Sequence, residues 1–400
     1  MIEIRNQTDF NALVKSTPTN QKIVIYPRRD GVPYTISKSW EIPSNTFIEG
    51  VNLPKIKLVR GEESESKLIE LSSSSGAELK NIVIKNLYLI GDSELSSDIT
   101  HGIYCNYVGV IPVDNYGSHS YDESTVGNEK NIELGVSIID CYIEGFTNGI
   151  DMSNTHNSRV LGNSAKNTTT FLKIANNSSI IINNNTVTNC DNGFSTSINS
   201  RDIVFSNNKL ANISDLAIYI SDSKCINISS NSIENVRSGI YLETGIFNTI
   251  SSNLIDTGTE NGIVLSASQN NTITGNHIMN FNSGIFLSNM SFKNSITGNI
   301  VNNNIDSGIT INESSSNSSI SMYNSISNNT FTNNTGTGII LINAKHNLMS
   351  FNISSNNQKG HSLTDSDSNF IYGSMTYSNT EPNVLSGSSN TINTSENKFL

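Results

Sequence analysis

The chain has 400 residues, of which 15% are charged and 35% hydrophobic, and its formal net charge is −11. This acidic balance argues against nucleic acid as a partner, because phosphate binding needs a basic face. It would also repel acidic polysaccharides unless it is offset locally. No span of about 20 apolar residues occurs, so we expect no transmembrane helix and no membrane partner. The N-terminus lacks the basic start and apolar core of a signal peptide, and none is predicted.

The first segment, residues 1–76, is predicted to be a cap followed by irregular coils. Within it, residues 22–59 have the pattern of short strands separated by Gly and Pro turns. We expect these strands to cover one end of a solenoid, because bare edge strands invite aggregation. At the other end, residues 371–400 are expected to form the last coils and a second cap.

A repeat of 22 to 24 residues dominates residues 77–370. One Asn recurs at steps of 23, 22, 23 and 23, at the positions Asn208, Asn231, Asn253, Asn276 and Asn299. Short runs alternate apolar and polar residues, as at Ile240 and Leu242, which indicates strands with one buried face. The sequence therefore predicts an all-β fold, a single right-handed parallel β-helix with three short strands per coil.

The recurring Asn column is predicted to be structural. Asn tolerates the left-handed backbone of a sharp turn, and its stacked amides can bond to the coils on either side. Cys141 takes the ladder position in its own coil, which should interrupt the ladder there. The four cysteines, which form no CxxC pair, are interpreted as small buried hydrophobes rather than metal ligands or disulfides: Cys105, Cys141, Cys190 and Cys225.

The pattern N-x-I-x-x-N-x-I…G-I-x-L-x-x-S-x-x-N resembles repeats of the pectin-lyase-like superfamily, in particular NosD-type repeats and those of carbohydrate-binding proteins and sugar hydrolases. Residues 22–59 also resemble the entry segment of phage tail spikes and other polysaccharide-degrading β-helices. The resemblance implies a long polysaccharide lying along the coil axis. It transfers no catalytic residue, because the NTD, DD, GHG and RIK motifs of polygalacturonases, the DPH of epimerases and the WIDH of pectate lyases are missing.

A column of outward residues is the first candidate site. In successive Gly-Ile strands the residue after Ile should face solvent. Sugars offer C–H faces to aromatic rings and hydroxyls to carboxylates, so this column suits an oligosaccharide. The alternative is that outward aromatics are merely good strand formers. With one loop tyrosine, the candidate substrate-binding residues are Tyr104, Tyr121, Tyr219, Tyr241, Glu243 and Phe286.

The longest interruption of the repeat, residues 107–131, is the second candidate, because long loops on rigid scaffolds often carry function. It leaves the solenoid near the outward column. Carboxylates there could perform acid–base work on a glycan, and a cationic side chain could neutralise a uronate or abstract its C5 proton. The alternative is a solvated loop with unrelated charges. The candidate catalytic residues are Asp151, Lys173, Arg159, His119 and Asp122.

A third possibility lies on another strand of the coil. Glu144 and Lys166 fall on neighbouring coils, as do Glu234 and Asp256. Paired carboxylates could form a retaining glycosidase site or, with Asn oxygens, a calcium site. Surface charge without a role is the alternative. No motif supports a metal or another cofactor, so neither is predicted.

These observations predict a polysaccharide-active protein that binds and cleaves a long glycan, with β-elimination on a uronate ahead of hydrolysis. The alternative is a non-catalytic, adhesive glycan-binding module or a phage spike shaft. An ice-binding solenoid is disfavoured, because Thr272 and Thr274 are an isolated Thr-x-Thr pair. We expect an extracellular substrate, with a virion-associated location and a homotrimer as further possibilities.

Overall fold

The computed structural model describes residues 1–59, 65–72, 79–91, 99–109, 134–313, 320–381, 383–385 and 390–396. The chain divides into two compact units, called here unit 1 (Met1–Thr186) and unit 2 (Val187–Leu400).

Unit 1 contains a short helix and a series of short strands. These elements are β1 (Ile2–Ile4), α1 (Gln7–Lys15), β2 (Lys22–Ile25), β3 (Tyr34–Ile36), β4 (Trp40–Glu41), β5 (Phe47–Gly50), β6 (Lys55–Leu58), β7 (Glu65–Ser72), β8 (Ile82–Lys85), β9 (Tyr88–Ile90), β10 (Ile99–Val108), β11 (Val136–Ile139), β12 (Tyr142–Glu144), β13 (Asn148–Leu161), β14 (Ser164–Lys166), β15 (Thr170–Ala175) and β16 (Ser178–Asn183).

Unit 2 consists of strands, the first of which starts one residue before the unit boundary. These elements are β17 (Thr186–Cys190), β18 (Asn192–Ser197), β19 (Arg201–Ser206), β20 (Lys209–Ser221), β21 (Asn227–Ser229), β22 (Ser232–Glu243), β23 (Thr249–Ser251), β24 (Leu254–Gly258), β25 (Asn261–Ser266), β26 (Thr272–Thr274), β27 (His277–Met279), β28 (Ser283–Ser288), β29 (Ser295–Thr297), β30 (Ile300–Asn302), β31 (Ser307–Asn312), β32 (Ser325–Ser327), β33 (Thr330–Thr332), β34 (Thr337–Ile342), β35 (Leu348–Ser350), β36 (Ile353–Ser355), β37 (Lys359–Thr364), β38 (Phe370–Tyr377), β39 (Val384–Leu385) and β40 (Thr391–Glu396).

In each unit, strands of successive coils pair in parallel and form three faces. In unit 1, face A contains β7, β10, the start of β13 and β15; face B contains β8, β11, the end of β13 and β16; face C contains β9, β12 and β14. In unit 2, face A includes β25, β28, β31, β34 and β37; face B includes β21, β23, β26, β29, β32, β35 and the start of β38; face C includes β24, β27, β30, β33 and β36. The predicted right-handed parallel β-helix is confirmed.

The core is a stack of equivalent aliphatic side chains. On face A of unit 2 the residue after Gly pairs with its counterpart one coil away, and all of these side chains are fully buried: Ile240, Ile263, Ile285, Ile309 and Ile339. Each fully buried aliphatic side chain stabilises the fold by roughly 1.5–3 kcal/mol. The short strands therefore owe their stability to stacking between coils.

The predicted Asn ladder is present. The side-chain carbonyl of Asn276 accepts the backbone N–H of Asn253 at 2.9 Å, and its amide donates to Asn299 at 3.0 Å. One detail of the prediction was wrong, because the left-handed residue is the one before each ladder Asn, such as Ser252 and Gly275. The ladder side chain is thereby turned inward, where it satisfies buried backbone groups.

Two of the cysteines test the sequence interpretation in opposite ways. Cys141 occupies the ladder position as predicted, and its backbone N–H donates to the side chain of Asn163 at 2.9 Å. Burial raises the pKa of its thiol to about 12. Cys225 was predicted to be buried, but it is exposed, because it lies at a left-handed turn with φ of 56°.

The helix α1 was not predicted. Asn6 caps it by accepting the backbone N–H of Asp9 at 2.9 Å. Phe10 is buried against the rings of Tyr34 and Trp40, at centroid distances of 4.8 and 5.4 Å. Within the described residues, no helix has the length and apolar character needed to cross a membrane.

Candidate functional site

Face A of unit 1 places four polar residues in one column across successive coils. Tyr104 pairs with Glu70 on one side and with Asp151 on the other, and Asp151 pairs with Lys173. Neighbouring strands lie about 4.8 Å apart. Three predicted site residues, Tyr104, Asp151 and Lys173, are therefore neighbours.

Asp151 is buried, although its position in the repeat predicts that it faces solvent. Only 6% of its side chain is exposed, and its Oδ2 lies 3.4 Å from His101 Nδ1. The Asn148 amide approaches the same oxygen at 3.5 Å, and Lys173 Nζ lies 4.0 Å away. These three neighbours cover the carboxylate. It therefore cannot contact a ligand directly, and it can influence one only by positioning its neighbours.

The other side of this group is formed by Lys67, Glu70 and Tyr104. Lys67 Nζ lies 3.2 Å from Glu70 Oε1 and 4.1 Å from the centroid of the Tyr104 ring. The edge of the His101 ring meets Tyr104 at 5.3 Å. We call Lys67, Glu70, His101, Tyr104, Asn148, Asp151 and Lys173 the unit 1 cluster.

Glu70 is held in its ionised form. Burial acts to raise its pKa, but hydrogen bonds from Ser72 and Lys67, together with the charge of Lys67, outweigh burial and lower the pKa below its ordinary value. The cluster then balances two carboxylates with two lysines. The charge is therefore balanced locally, and the net negative charge of the whole chain would not repel an acidic ligand from this site.

Arg159, another predicted catalytic residue, is not part of this group. Arg159 lies on face B, where it pairs with Ser137 and Ile181. Left-handed turns at Asn154 and Asn157 separate it from Asp151. The structure therefore does not place Arg159 in the column of Asp151, and a catalytic role for Arg159 stays a prediction. His119, Tyr121 and Asp122 lie outside the described residues.

Three of the predicted substrate-binding residues, Tyr219, Tyr241 and Glu243, form a patch in unit 2. The rings of Tyr219 and Tyr241 lie 5.9 Å apart, and the Tyr219 hydroxyl donates to Glu243. Burial and this hydrogen bond raise the pKa of Tyr219 above its ordinary value. Phe286 lies two coils beyond Tyr241, and the buried Val264 lies between them. The aromatic column is thus interrupted within unit 2.

The carboxylates proposed for a glycosidase or calcium site have other partners. Lys166 Nζ lies 3.3 Å from Glu144, which also accepts the Tyr88 hydroxyl at 2.5 Å. Glu234 pairs with Lys209 at 3.4 Å, and Asp256 accepts the Asn280 amide at 2.7 Å. These contacts favour the alternative interpretation, surface charge with a structural role.

Four members of the unit 1 cluster were missed in the sequence, and one of them, Glu70, occupies the outward column. His101 and Asn148 each precede the Gly-Ile pair of their coil, and Lys67 pairs with His101 one coil earlier. Comparing this pre-Gly position between coils would have found them. The signal was weak, because the same position carries Thr170 in the following coil.

Two solved structures illustrate how widely the fold is shared. The A-module of the mannuronan C-5 epimerase AlgE6 from Azotobacter vinelandii is 14% identical, with 97% of this chain and 93% of that chain covered and a TM-score of 0.50. The Dettilon tailspike protein is 13% identical, with 84% and 64% covered and a TM-score of 0.51. At these identities the likeness concerns the fold alone. No curated protein matches the chain.

A family model described as "Periplasmic copper-binding protein (NosD)" matches residues 80–258 and 198–335. The donors that copper would need are not assembled in the described ranges, where no three His, Cys, Asp or Glu side chains come together to hold a metal ion. The described residues therefore do not fit a copper site. Because the two matches together span more than half of the sequence, the chain belongs to the NosD family.

Proposed function

We propose that this protein binds a uronate-containing polysaccharide at the unit 1 cluster and cleaves it by β-elimination. The observation that carries the proposal is the grouping of two lysines, a histidine, a tyrosine and two carboxylates on one face of four successive coils. Such a group can neutralise a sugar carboxylate and move a proton, the two requirements of elimination.

Lys173 is proposed to neutralise the uronate. Half of its side chain is exposed, and its ammonium group lies 4.0 Å from the buried Asp151. Lysine is cationic at neutral pH, so Lys173 suits this role better than that of a base. Asp151 would be a positioning residue, and His101, which lies 3.4 Å from it, would fix its carboxylate in turn.

Tyr104 is the proposed proton-transfer group. It is half-buried between Lys67 and His101, next to the position of Asp151. In the reaction, the deprotonated Tyr104 oxygen would take the proton from C5 of the uronate, a double bond would form between C4 and C5, and the C4–O bond would break. The leaving oxygen would receive that proton from Tyr104 and become the hydroxyl of the new chain end. The mannuronan C-5 epimerase that shares the fold is named for a reaction at the same carbon.

The test is incubation of the purified protein with alginate, pectate, xylan and dextran, following unsaturated-uronate absorbance and new reducing ends. We expect both signals with an acidic polysaccharide only. Lys173→Ala should lower the rate by about a hundredfold or more, because it removes a charge that stabilises the developing enolate. Lys166→Ala is the matched control, since Lys166 also pairs with a carboxylate in unit 1, but on face C; it should leave the rate within about twofold.

Other outcomes would redirect the proposal. Reducing ends without absorbance would mean hydrolysis. Binding without either signal would establish the second candidate, a non-catalytic glycan-binding module. The burial of Asp151 and His101 favours that candidate, because it leaves few groups of the cluster able to touch a substrate.

A further inference from the structure

The strands of face B of unit 2 are uncharged at their outward positions over seven successive coils, whereas the turns before them carry Lys224 and Lys293. From β21 to the start of β38, no outward position of the described strands carries Asp, Glu, Lys or Arg. The first coils instead present two columns of hydroxyl side chains, as at Thr272 and Thr274. The chain has a net charge of −11, yet these solvent-exposed strand positions carry no charged side chain.

The last coils of this face replace hydroxyls with aromatic rings. We call Tyr323, His346, Phe351, Phe370 and Tyr372 the aromatic platform. All five side chains are exposed. Phe351 meets Tyr372 edge-on at 5.4 Å, Phe370 stacks on Tyr372 at 6.2 Å, and Tyr323 stacks on His346 at 5.4 Å. The rings thus form one exposed pair and one exposed group of three, and exposed apolar groups of this kind mark recognition surfaces.

At the turn that follows each face B strand, Phe351 replaces the smaller residues of the preceding coils. Phe351 has φ of 54° at a turn where the preceding coils place Gly275, Gly298 and Asn328. A bulky side chain disfavours this left-handed backbone. Phe351 is also 55% exposed, so packing does not compensate for the strain.

We propose that the aromatic platform, continued by the hydroxyl columns of face B, binds a neutral polysaccharide. Aromatic faces stack against the C–H faces of pyranose rings, and the Ser and Thr hydroxyls can exchange hydrogen bonds with sugar hydroxyls. The absence of charge on the described strands selects against uronates. This site lies in unit 2 and does not depend on the elimination proposed for unit 1.

The test measures binding of laminarin, xyloglucan, dextran and galactomannan by affinity electrophoresis and calorimetry. The variant Phe351→Asn/Tyr372→Ser is chosen because Asn328 and Ser350 occupy the corresponding positions one coil earlier, so it should fold. We expect it to weaken binding of at least one of these glycans by about tenfold or more. The matched control is Ile198→Asn, since Ile198 is 58% exposed with φ of 48° but follows β18, which is not a strand of face B; it should bind like the wild type.

The proposal is overturned if none of the four glycans binds or if the double variant binds as tightly as the wild type. It is also overturned if light scattering finds a wild-type oligomer that the double variant dissociates, because the platform would then be a contact between copies. Alginate or pectate turnover should be the same in the double variant and lost in Lys173→Ala. Failure of one proposed site is thereby separated from failure of the other.

Discussion

The two units use the same coil for different purposes. In unit 1, face A holds a buried carboxylate, Asp151, against a histidine and a lysine. In unit 2, the ladder through Asn253, Asn276 and Asn299 continues coil after coil, and face B offers rings and hydroxyls without charge. The comparison indicates that unit 1 uses face A to hold a charged group inside, whereas most coils of unit 2 differ in what they present to solvent, with Glu313 and His361 as buried exceptions.

The contrast extends to two buried histidines. His101 in unit 1 lies beside the carboxylate of Asp151. His361 in unit 2 occupies the inward column after Ile339, and no hydrogen-bond partner for its Nε2 lies among the described residues. Burial lowers the pKa of His361 to about 4. His101 thus has a carboxylate as its neighbour, whereas burial keeps His361 neutral.

The largest expected effect tests whether the ladder stabilises unit 2. Asn276→Ala removes the acceptor of the Asn253 N–H and leaves a small cavity, so we expect the free energy of unfolding to fall by about 3–4 kcal/mol. Asn227→Ala, at an exposed position of face B, should change it by less than about 0.5 kcal/mol. Urea denaturation followed by circular dichroism measures both. Equal losses in the two variants would remove the structural argument for the ladder.

The next effect sharpens the comparison of histidines. The pKa of His361 is about 4 in the fold and about 6.5 in the unfolded chain, so the unfolded chain binds the proton first. The stability associated with neutral His361 is complete above pH 6.5 and is lost between pH 6.5 and 4, by about 3 kcal/mol. His361→Ile, which continues the column of Ile339, should lack this part of the pH dependence. Parallel wild-type and variant curves from pH 7 to 4 would contradict the assignment.

The smallest effect concerns the tyrosine patch of unit 2. Tyr219→Phe removes the hydrogen bond to Glu243 and should cost about 0.5–1 kcal/mol of unfolding free energy. We expect no change in turnover of an acidic polysaccharide, because the proposed chemistry lies in unit 1. Thermal denaturation and the absorbance assay test the two statements. A clear loss of turnover would mean that the patch takes part in the reaction.

The repeat made the fold predictable, whereas the site was predictable only in part. The spacing of Ile263, Ile285 and Ile309 specifies stacked coils, and the same spacing aligns Tyr104 with Asp151. Periodicity cannot tell that Asp151 is covered, because that depends on how His101 and Lys173 fold over it. It also cannot place Arg159, since two tight turns within a few residues move the chain to another face.

One coil of unit 2 is longer than the others, yet the ladders cross it unchanged. The sequence step is 30 residues from Asn294 to Asn324 and also from Asn299 to Asn329, and both pairs keep side-chain hydrogen bonds of 2.9–3.0 Å. The usual step is 23. Extra residues after β31 therefore leave the register of the following coils intact. For protein engineering, this conserved register means that the sequence between β31 and β32 can differ in length, so a foreign epitope or binding peptide could be inserted there without redesigning the coils that follow.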